Sequence, residues 1–477
     1  MQRESTEPIS KTAKRAALIV ATFGSFMTPF DGSVVTLALP SIGKDLGGNV
    51  VSLGWVATAY VLGLTICVVP FGRLADIRGR GRIYVIGVGL FTLASALCGL
   101  APSLNSLIAM RIVQGVAAAM MAGNSIALLT SVFPASERGK VLGINTGTVY
   151  IGLSVGPSLG GFLVQHLGWR SAFFVNVPIG IGVVLLALFK LQRETLEAKN
   201  EKLDPIGIVT YGLALCMIVL GLTFSEGQVS TLSATLVVCG LGALAVFIFY
   251  ERQIPSPLLD LRLFSNTTFA FSTLTALLNY SSVFGVSFIL SLYLQLVPGF
   301  SVSEAGLIML VQPVLMATFS PFGGWLSDRV EPRIVSSVAM SIVAAAVFSM
   351  SLLGAASQWW EVAVRLMALG VGYAFFSSPN TNAAMSSVER GQYGIAAAIM
   401  STMRFTGQAI SLAVATSVLS ANLGGIAVSG RPSLKVPADA FMKGMRSALI
   451  ILASICAVGI FTSLVRGRIR SETSAKL

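Results

Sequence analysis

The stretch Gly72-Arg-Leu-Ala-Asp76-Ile-Arg78-Gly-Arg80-Gly-Arg82 lies between two long apolar runs, residues 55–71 and 83–100. It carries four arginines and one aspartate. Hydrocarbon does not accommodate such a cluster of charges, so we interpret it as a short loop between two helices that each cross a membrane. Basic residues in a short loop favour the cytoplasmic side. We call residues 72–82 the anchor loop, because it predicts both a membrane fold and its orientation.

The composition of the whole chain agrees with this interpretation. Of 477 residues, 54% are hydrophobic and only 11% are charged, whereas soluble proteins carry roughly 25% charged residues. We assign the net charge of +12 to helix ends held at one membrane face, and we expect no nucleic-acid partner. The five cysteines lie in apolar runs without metal-ligand spacing, so we expect no metal site and no disulfide.

Apolar runs long enough to cross a bilayer occur fourteen times along the chain. We interpret the first run as a retained span and not as a removed signal peptide. If the chain starts inside, most basic residues outside the spans fall on the side of the anchor loop, as the positive-inside rule requires. The sequence therefore predicts a multi-pass protein of the cytoplasmic (inner) membrane with both termini in the cytoplasm.

An internal repeat divides the chain. Gly324-Trp-Leu-Ser-Asp328-Arg329 repeats the pattern of the anchor loop, and Arg365 repeats Arg111 at a similar offset of about 250 residues. We therefore predict an all-α fold of two parallel six-helix repeats plus an inserted two-helix hairpin, with a site between the repeats near the bilayer midplane. The predicted divisions are a cytoplasmic tail at 1–15, an N-terminal bundle at 16–191, a linker with helices 7 and 8 at 192–267, a C-terminal bundle at 268–465 and a cytoplasmic tail at 466–477.

Five segments in this order resemble the major facilitator superfamily, and in particular its fourteen-helix drug:proton antiporter family. They are Asp31-Gly-Ser-Val-Val-Thr-Leu-Ala-Leu-Pro40, the anchor loop, Arg111-Ile-Val-Gln114-Gly115, Gly152-Leu-Ser-Val-Gly156-Pro157-Ser-Leu-Gly160-Gly161 and Trp169-Arg-Ser-Ala-Phe-Phe-Val-Asn176-Val-Pro178-Ile-Gly180. The anchor loop departs from the usual motif, because Ile77 and Gly81 stand where that family has basic residues. The resemblance implies the major facilitator fold and proton-coupled drug export.

Asp31 is the one carboxylate inside a predicted span, and Arg111 lies in the same outer half of the fourth span. Acids within a membrane are costly and are usually functional. A carboxylate next to a guanidinium changes its proton affinity when their separation changes, so the pair is a candidate proton-coupling site. The alternative is a static ion pair that fixes two helices.

Two sets of residues are candidates for conformational switching. The resemblance implies that Asp76 helps hold an outward-open state; the alternative is that the loop charges only set topology. Glycines and a proline along the fifth span are interpreted as a bendable contact between the halves. The predicted gating residues are Gly72, Asp76, Arg78, Arg80, Arg82, Gly152, Gly156, Pro157, Gly160, Asp328 and Arg329.

Polar residues inside the spans are candidates for a substrate cavity, although each could instead make only a helix–helix hydrogen bond. They are Tyr60, Gln114, Asn124, Asn145, Tyr150, Asn279, Tyr280, Gln312, Asn380 and Arg404. Asp31 set against Arg111 and Arg404 leaves a cavity charge of about +1, which disfavours dications. We expect neutral, zwitterionic, anionic or monocationic lipophilic substrates.

The segment Gly152-Leu-Ser154-Val-Gly156 also fits the nucleophile elbow of hydrolases, which needs a strand before it and a helix after it. Here it lies within one long apolar run, and the chain has a single histidine, His166. The sequence therefore predicts no enzyme. It predicts a monomeric exporter of small amphipathic compounds, driven by the proton gradient without a cofactor and working by alternating access in the lipid bilayer. The alternative is a specific metabolite exporter or importer of the same fold.

Overall fold

The computed structural model describes residues 11–122, 124–133, 135–190, 204–223, 231–254, 257–259, 261–327, 329–389, 392–423 and 437–467. Within these residues the chain is almost entirely helical and has no strand. The helices are α1 Lys11–Leu46, α2 Val50–Arg78, α3 Arg80–Gly99, α4 Leu104–Ala122, α5 Asn124–Val132, α6 Ala135–Leu167, α7 Ser171–Phe174, α8 Asn176–Lys190, α9 Pro205–Thr223, α10 Thr231–Glu251, α11 Thr267–Leu296, α12 Val302–Ser327, α13 Pro332–Met350, α14 Trp359–Ser386, α15 Tyr393–Leu423 and α16 Ala438–Val465. A short 3-10 helix, Leu261–Ser265, precedes α11.

Thirteen helical segments of the described chain are long and apolar enough to cross a membrane. Helices α4 and α5 form one of these segments, and α7 and α8 form another. Helix α15 is not one of these thirteen segments, but it has 31 residues and packs against α11 and α16. With α15 included, the helices match the fourteen predicted from the sequence, and the chain is a multi-pass membrane protein.

The two halves repeat the same packing. In the N-terminal half (α1–α8), α1 packs on α6, α2 packs on α4, and α3 packs on α4. In the C-terminal half (α11–α16), the equivalent pairs are α11 with α15, α12 with α14, and α13 with α14. The predicted pair of parallel six-helix repeats is therefore confirmed by the helix contacts.

The glycines of α6 pack inside the N-terminal half. A Cβ atom on Gly156 would lie 1.8 Å from Ser33 Oγ, and one on Gly160 would lie 2.6 Å from a methyl group of Val34, so both glycines face α1. Gly152 likewise approaches the backbone oxygen of Phe26 in α1. The expectation that these three glycines touch the other half is wrong, because helical spacing shows a close-packing face without showing which neighbour it meets.

The inserted hairpin contacts both halves through α9, which packs against α2 and α15, while α10 packs on α9. The Tyr211 hydroxyl of α9 donates a 3.3 Å hydrogen bond to the carbonyl of Thr65 in α2. Near the other end of α9, the Ser417 hydroxyl of α15 donates to the carbonyl of Leu222. Helix α9 is thus hydrogen-bonded to both halves.

The anchor loop consists mostly of helix ends. Helix α2 continues to Arg78 and α3 begins at Arg80, so Gly79 is the only residue between them. Gly79 has a φ of 103°, a conformation that glycine adopts without the steric cost other residues incur. The sequence predicted a longer loop because clustered charges mark a membrane boundary without showing where the helix stops.

Candidate transport site

Asp31 and Arg111 form an ion pair inside the N-terminal half. Arg111 Nη1 lies 2.6 Å from Asp31 Oδ2, and the two side chains are 2% and 0% exposed. Arg111 Nε also donates a 3.0 Å hydrogen bond to the carbonyl of Val56 in α2. The pair therefore joins α1, α2 and α4, and the proximity expected from the depth of the two residues is found.

Two amides complete the hydrogen bonds of Asp31. Gln114 Nε2 donates to Asp31 Oδ1 at 3.0 Å, and Asn176 Nδ2 of α8 donates to the same oxygen at 2.9 Å. Gln114 also accepts a 2.6 Å hydrogen bond from Arg111 and donates to Ser95 of α3 at 2.9 Å. Five helices of one half thus meet around a single carboxylate.

Tyr60 covers the guanidinium of this cluster. Its ring centroid lies 4.2 Å from Arg111 Cζ, a cation–π contact. The Tyr60 hydroxyl is buried and has no hydrogen-bond partner in the described structure. The carboxylate of Asp31 is therefore buried against one guanidinium and two amide groups, and an amide can turn to present either a donor or an acceptor to it.

The two halves are hydrogen-bonded to each other on the side opposite the anchor loop. Ser291 Oγ of α11 donates to the carbonyl of Thr36 in α1 at 2.7 Å, and Gln295 Nε2 donates to the carbonyl of Leu37 at 3.1 Å. These bonds lie one to two turns beyond Asp31 along α1. Contact between the halves therefore begins close to the ion pair.

Helices α6 and α12 also meet closely on this side. A Cβ atom on Gly306 would lie 2.1 Å from the carbonyl oxygen of Pro157, and one on Gly161 would lie 2.8 Å from that of Val302. The backbone of Ser303 donates to the side chain of Gln165 at 3.1 Å. The predicted contact of α6 with the other half thus exists at Pro157 and its neighbours.

The same face of α6 is open toward the anchor loop. Gly143 precedes Gly161 by about five helical turns and Gly147 precedes it by about four, so both share the face that meets α12. No atom lies within 4 Å of a Cβ atom built on either glycine. Among the described residues, the close contact between α6 and α12 at Gly161 and Gly306 therefore does not extend to Gly143 and Gly147, and we infer a cavity between the halves on the anchor-loop side.

Four partly exposed side chains approach one another across this cavity. Tyr150 of α6 lies 3.5 Å from Ser320 of α12, joining the two halves. Tyr280 of α11 packs against Tyr373 of α14 with ring centroids 5.9 Å apart. The charge of Arg404 in α15 interacts with Tyr150 and Tyr373. Tyr373 was not among the residues predicted from the sequence.

The other predicted cavity residues have different surroundings. Gln312 is partly exposed and its amide lies 3.9 Å from Met316 Sδ. Asn124 donates to the carbonyl of Met120 within its own span, and Asn145 and Asn279 are buried. Asn279 has neither side-chain atom hydrogen-bonded in the described structure. Tyr60 and Gln114 belong to the Asp31 cluster and not to the cavity surface.

Asn380 belongs to a buried cluster that sequence reasoning missed. Arg466, which we expected in the cytoplasmic tail, is fully buried and donates to Asn380 Oδ1 at 2.8 Å and to Ser336 Oγ at 3.1 Å. Burial lowers the pKa of Arg466 to about 10, so it remains protonated at neutral pH. The cluster joins the ends of α13, α14 and α16 on the anchor-loop side. Only its position directly after an apolar run could have suggested this role.

The predicted gating charges form contacts within their own half. Asp76 Oδ1 lies 3.0 Å from Arg80 Nε, across the turn at Gly79. Arg78 and Arg82 are exposed, and no atom lies within 4 Å of a Cβ atom built on Gly72. In the second loop, Arg329 lies over the ring of Trp325 at 4.0 Å, while Asp328 lies outside the described residues.

The described residues contain no group of three or more His, Cys, Asp or Glu side chains that could hold a metal ion. Comparison with known proteins instead finds transporters along nearly the whole chain. Residues 21–412 and 272–476 match the profile of the Major Facilitator Superfamily. The chain is 30% identical over 454 residues to the riboflavin transporter RibZ of Clostridioides difficile (strain 630), covering 94% of this chain and 97% of that protein.

Two further similarities come from a drug-resistance protein and a solved structure. The chain is 35% identical over 412 residues to the multidrug resistance protein Stp of Mycobacterium tuberculosis (strain CDC 1551 / Oshkosh), covering 85% of this chain and 75% of that protein. Its fold is similar to the crystal structure of a bacterial homolog of the human lysosomal transporter Spinster in an inward-facing, unoccupied conformation. The TM-score is 0.69 at 17% identity, covering 96% of this chain and 97% of that chain.

Proposed function

Because the chain belongs to the Major Facilitator Superfamily, we propose that it exports small amphipathic compounds in exchange for protons by alternating access. The observation that carries this proposal is the fully buried Asp31, held by Arg111, Gln114 and Asn176. An acid in the membrane interior is costly unless it serves a function, and a titrating carboxylate provides a proton site. The multidrug resistance protein Stp among the relatives supports export of amphipathic compounds.

The proposed orientation places the anchor loop and both termini in the cytoplasm of a cell with an inner membrane. The basic residues of the anchor loop support this orientation. The cavity that opens on the anchor-loop side then faces the cytoplasm, from which substrate enters. Export requires that the bonds of Thr36 and Leu37 to α11 break while the cavity closes on the cytoplasmic side.

Asp31 is coupled to this change through α1, in our proposal. The same helix carries the acid and, one to two turns further on, the two carbonyls that accept hydrogen bonds from the other half. Protonation of Asp31 weakens its attraction to Arg111 and lets α1 move relative to α4. We propose that the transporter works as a monomer. It needs no cofactor, because the proton gradient supplies the energy.

Flux into proteoliposomes tests this proposal. Purified full-length protein is reconstituted with a fluorescent amphipathic compound, with and without an imposed pH gradient. Wild-type protein should accumulate the compound only when the gradient is present. Asp31→Asn should lose accumulation but keep exchange of labelled for unlabelled compound, because the substrate cavity is intact.

Asp45→Asn is the matched control. Asp45 is the other acid at the far end of α1, where it binds Trp169 and Arg170 outside the hydrophobic core. This variant should accumulate compound like the wild type. Gradient-driven accumulation by Asp31→Asn at the wild-type level would place the proton site elsewhere.

A second candidate function is specific transport of one metabolite by the same fold. The 30% identity to a riboflavin transporter and the tyrosines around the cavity favour a planar heteroaromatic substrate for that case. A competition panel separates the two functions. A multidrug exporter is inhibited by many unrelated amphipathic compounds, whereas a specific transporter responds only to close analogues of one.

A further inference from the structure

Arg404 of α15 carries a charge that no protein group neutralises in the described structure. Its guanidinium carbon lies 4.4 Å from the ring centroid of Phe405, and its Nε atom is buried without a hydrogen-bond partner. No ion pair or hydrogen bond of this side chain occurs among the described residues. Arginine does not lose its proton in proteins, so the positive charge is permanent. Because no protein group occupies its donors among the described residues, the guanidinium is available to bind an acceptor on a ligand.

The surroundings of Arg404 are aromatic and come from both halves. Its charge acts on the hydroxyl groups of Tyr150 of α6 and Tyr373 of α14 over a distance, without a hydrogen bond to either among the described residues. One turn after Arg404, a Cβ atom on Gly407 would lie 2.8 Å from Tyr280 Cβ, so α15 contacts α11 beside this tyrosine. The three tyrosines and Arg404 are all partly exposed, as expected for residues that line an open cavity.

Four other embedded charges of the described spans have protein partners. Asp31 and Arg111 neutralise each other inside the N-terminal half. Arg365 is paired with Glu361 at 3.8 Å, and Arg446 donates to the carbonyl of Ser351. Among the described residues, Arg404 is therefore a positive charge beside the tyrosines that has no ion-pair or hydrogen-bond partner.

We propose that Arg404, with Tyr150, Tyr280 and Tyr373, forms an anion subsite that selects aromatic compounds carrying one carboxylate. A guanidinium binds a carboxylate through two parallel charge-assisted hydrogen bonds. Tyrosine rings contact an aromatic ring through faces and edges, and their hydroxyl groups can donate to the carboxylate. This inference rests on the proposed function as an exporter, because it names the substrate class of the same cavity.

Binding of three probes to the purified full-length protein tests the subsite. The probes are 2-naphthoate, its neutral amide 2-naphthamide and the cation 2-naphthylmethylammonium, which share one ring system and differ in charge. Calorimetry should give a Kd for 2-naphthoate at least about tenfold lower than for 2-naphthamide, as expected for hydrogen bonds to charged groups. The cation should bind most weakly.

Variants at two arginines assign the selectivity. Arg404→Gln should bind 2-naphthoate and 2-naphthamide with equal Kd values. Arg404→Lys should retain part of the preference for 2-naphthoate, because lysine keeps the positive charge but lacks the two parallel N–H donors of arginine. Arg365→Gln, which removes an already paired arginine, should keep the wild-type selectivity. Thermal unfolding verifies that each variant is folded.

The inference is overturned if wild-type protein binds 2-naphthoate no better than 2-naphthamide, or if Arg404→Gln keeps the preference. The comparison of probes on wild-type protein decides the outcome even if Arg404→Gln fails to fold. The assay uses no proton gradient, so it separates this inference from the proposed antiport. If Arg404→Gln loses selectivity but wild-type protein still shows gradient-driven flux, only the subsite is affected. If wild-type protein prefers 2-naphthoate but shows no gradient-driven flux, the subsite stands and the proposed antiport does not.

Discussion

Ser291 donates a hydrogen bond to the carbonyl oxygen of Thr36 at 2.7 Å and thereby joins the two halves of the protein. Within an α-helix that carbonyl would normally accept from the backbone four residues later, which here is Pro40. Proline has no N–H group, so the carbonyl of Thr36 is left free for a partner outside the helix. Pro40 therefore creates the acceptor that the other half uses.

The first prediction concerns this bond. Ser291→Ala should shift the protein toward a state in which the side opposite the anchor loop is open, because the closed state loses about 1 kcal/mol, a roughly fivefold change in the population ratio. Spin labels at Leu100 and Leu352, both exposed at that side, should move apart in double electron–electron resonance. Ser282→Ala removes a bond within α11 itself and should leave the distance unchanged.

The second prediction concerns the contact between α6 and α12. Gly306→Ala places a methyl group where only 2.1 Å separates it from the carbonyl of Pro157, so the helices must move apart. The same label pair should report an opening at least as large as that of Ser291→Ala. Gly147→Ala, on the open part of α6, should have no effect. An unchanged distance in Gly306→Ala would show that α6 and α12 do not hold this side closed.

The third prediction concerns the stability of the buried ion pair. Arg111→Met leaves the carboxylate of Asp31 without its cation, and breaking a buried pair from one side costs about 3–5 kcal/mol. Adding Asp31→Asn should recover part of this loss, since no charge then remains. Thermal unfolding in detergent compares the single and the double variant. A double variant less stable than Arg111→Met would contradict the prediction.

The fourth prediction concerns orientation. Single cysteines at Ser474 and Gly430, both outside the described residues, are labelled in intact cells with a membrane-impermeant maleimide. Gly430→Cys should react from outside, and Ser474→Cys should react only after the membrane is opened. Reaction of both from the same side would contradict fourteen spans with cytoplasmic termini.

The fold could be predicted from the sequence because the bilayer imposes length and polarity on every span. The apolar runs defined the helices, and the four-residue spacing of Glu361 and Arg365 is one at which helical side chains can pair. Within a span, however, sequence does not show the direction of a side chain. Asn124, for example, bonds to a carbonyl of its own span, whereas the equally polar Asn176 bonds to Asp31 of another helix.

The two charged residues of the site were predicted from the sequence, and so was Gln114 as a polar candidate, but Asn176 was not among the predicted site residues. Asp31 and Arg111 are conspicuous because charges inside apolar runs are rare. Asn176 is part of one of the motifs in the sequence, but no role was predicted for it. Its bond to Asp31 depends on the turn at Val175, after which α8 begins. Arg466 was assigned to the tail because it directly follows an apolar run, yet its side chain is buried between the ends of α13 and α14.

The attachment of α9 to both halves has a consequence for the speed of transport. In the proposed cycle the halves rotate about each other, while Thr65 belongs to one half and Ser417 to the other. Helix α9 cannot follow both, so each turnover must shear it against at least one half. This adds to the activation barrier between the two states without touching either the proton site or the cavity. In the proposed cycle we therefore expect the hairpin to slow turnover while leaving substrate affinity unchanged.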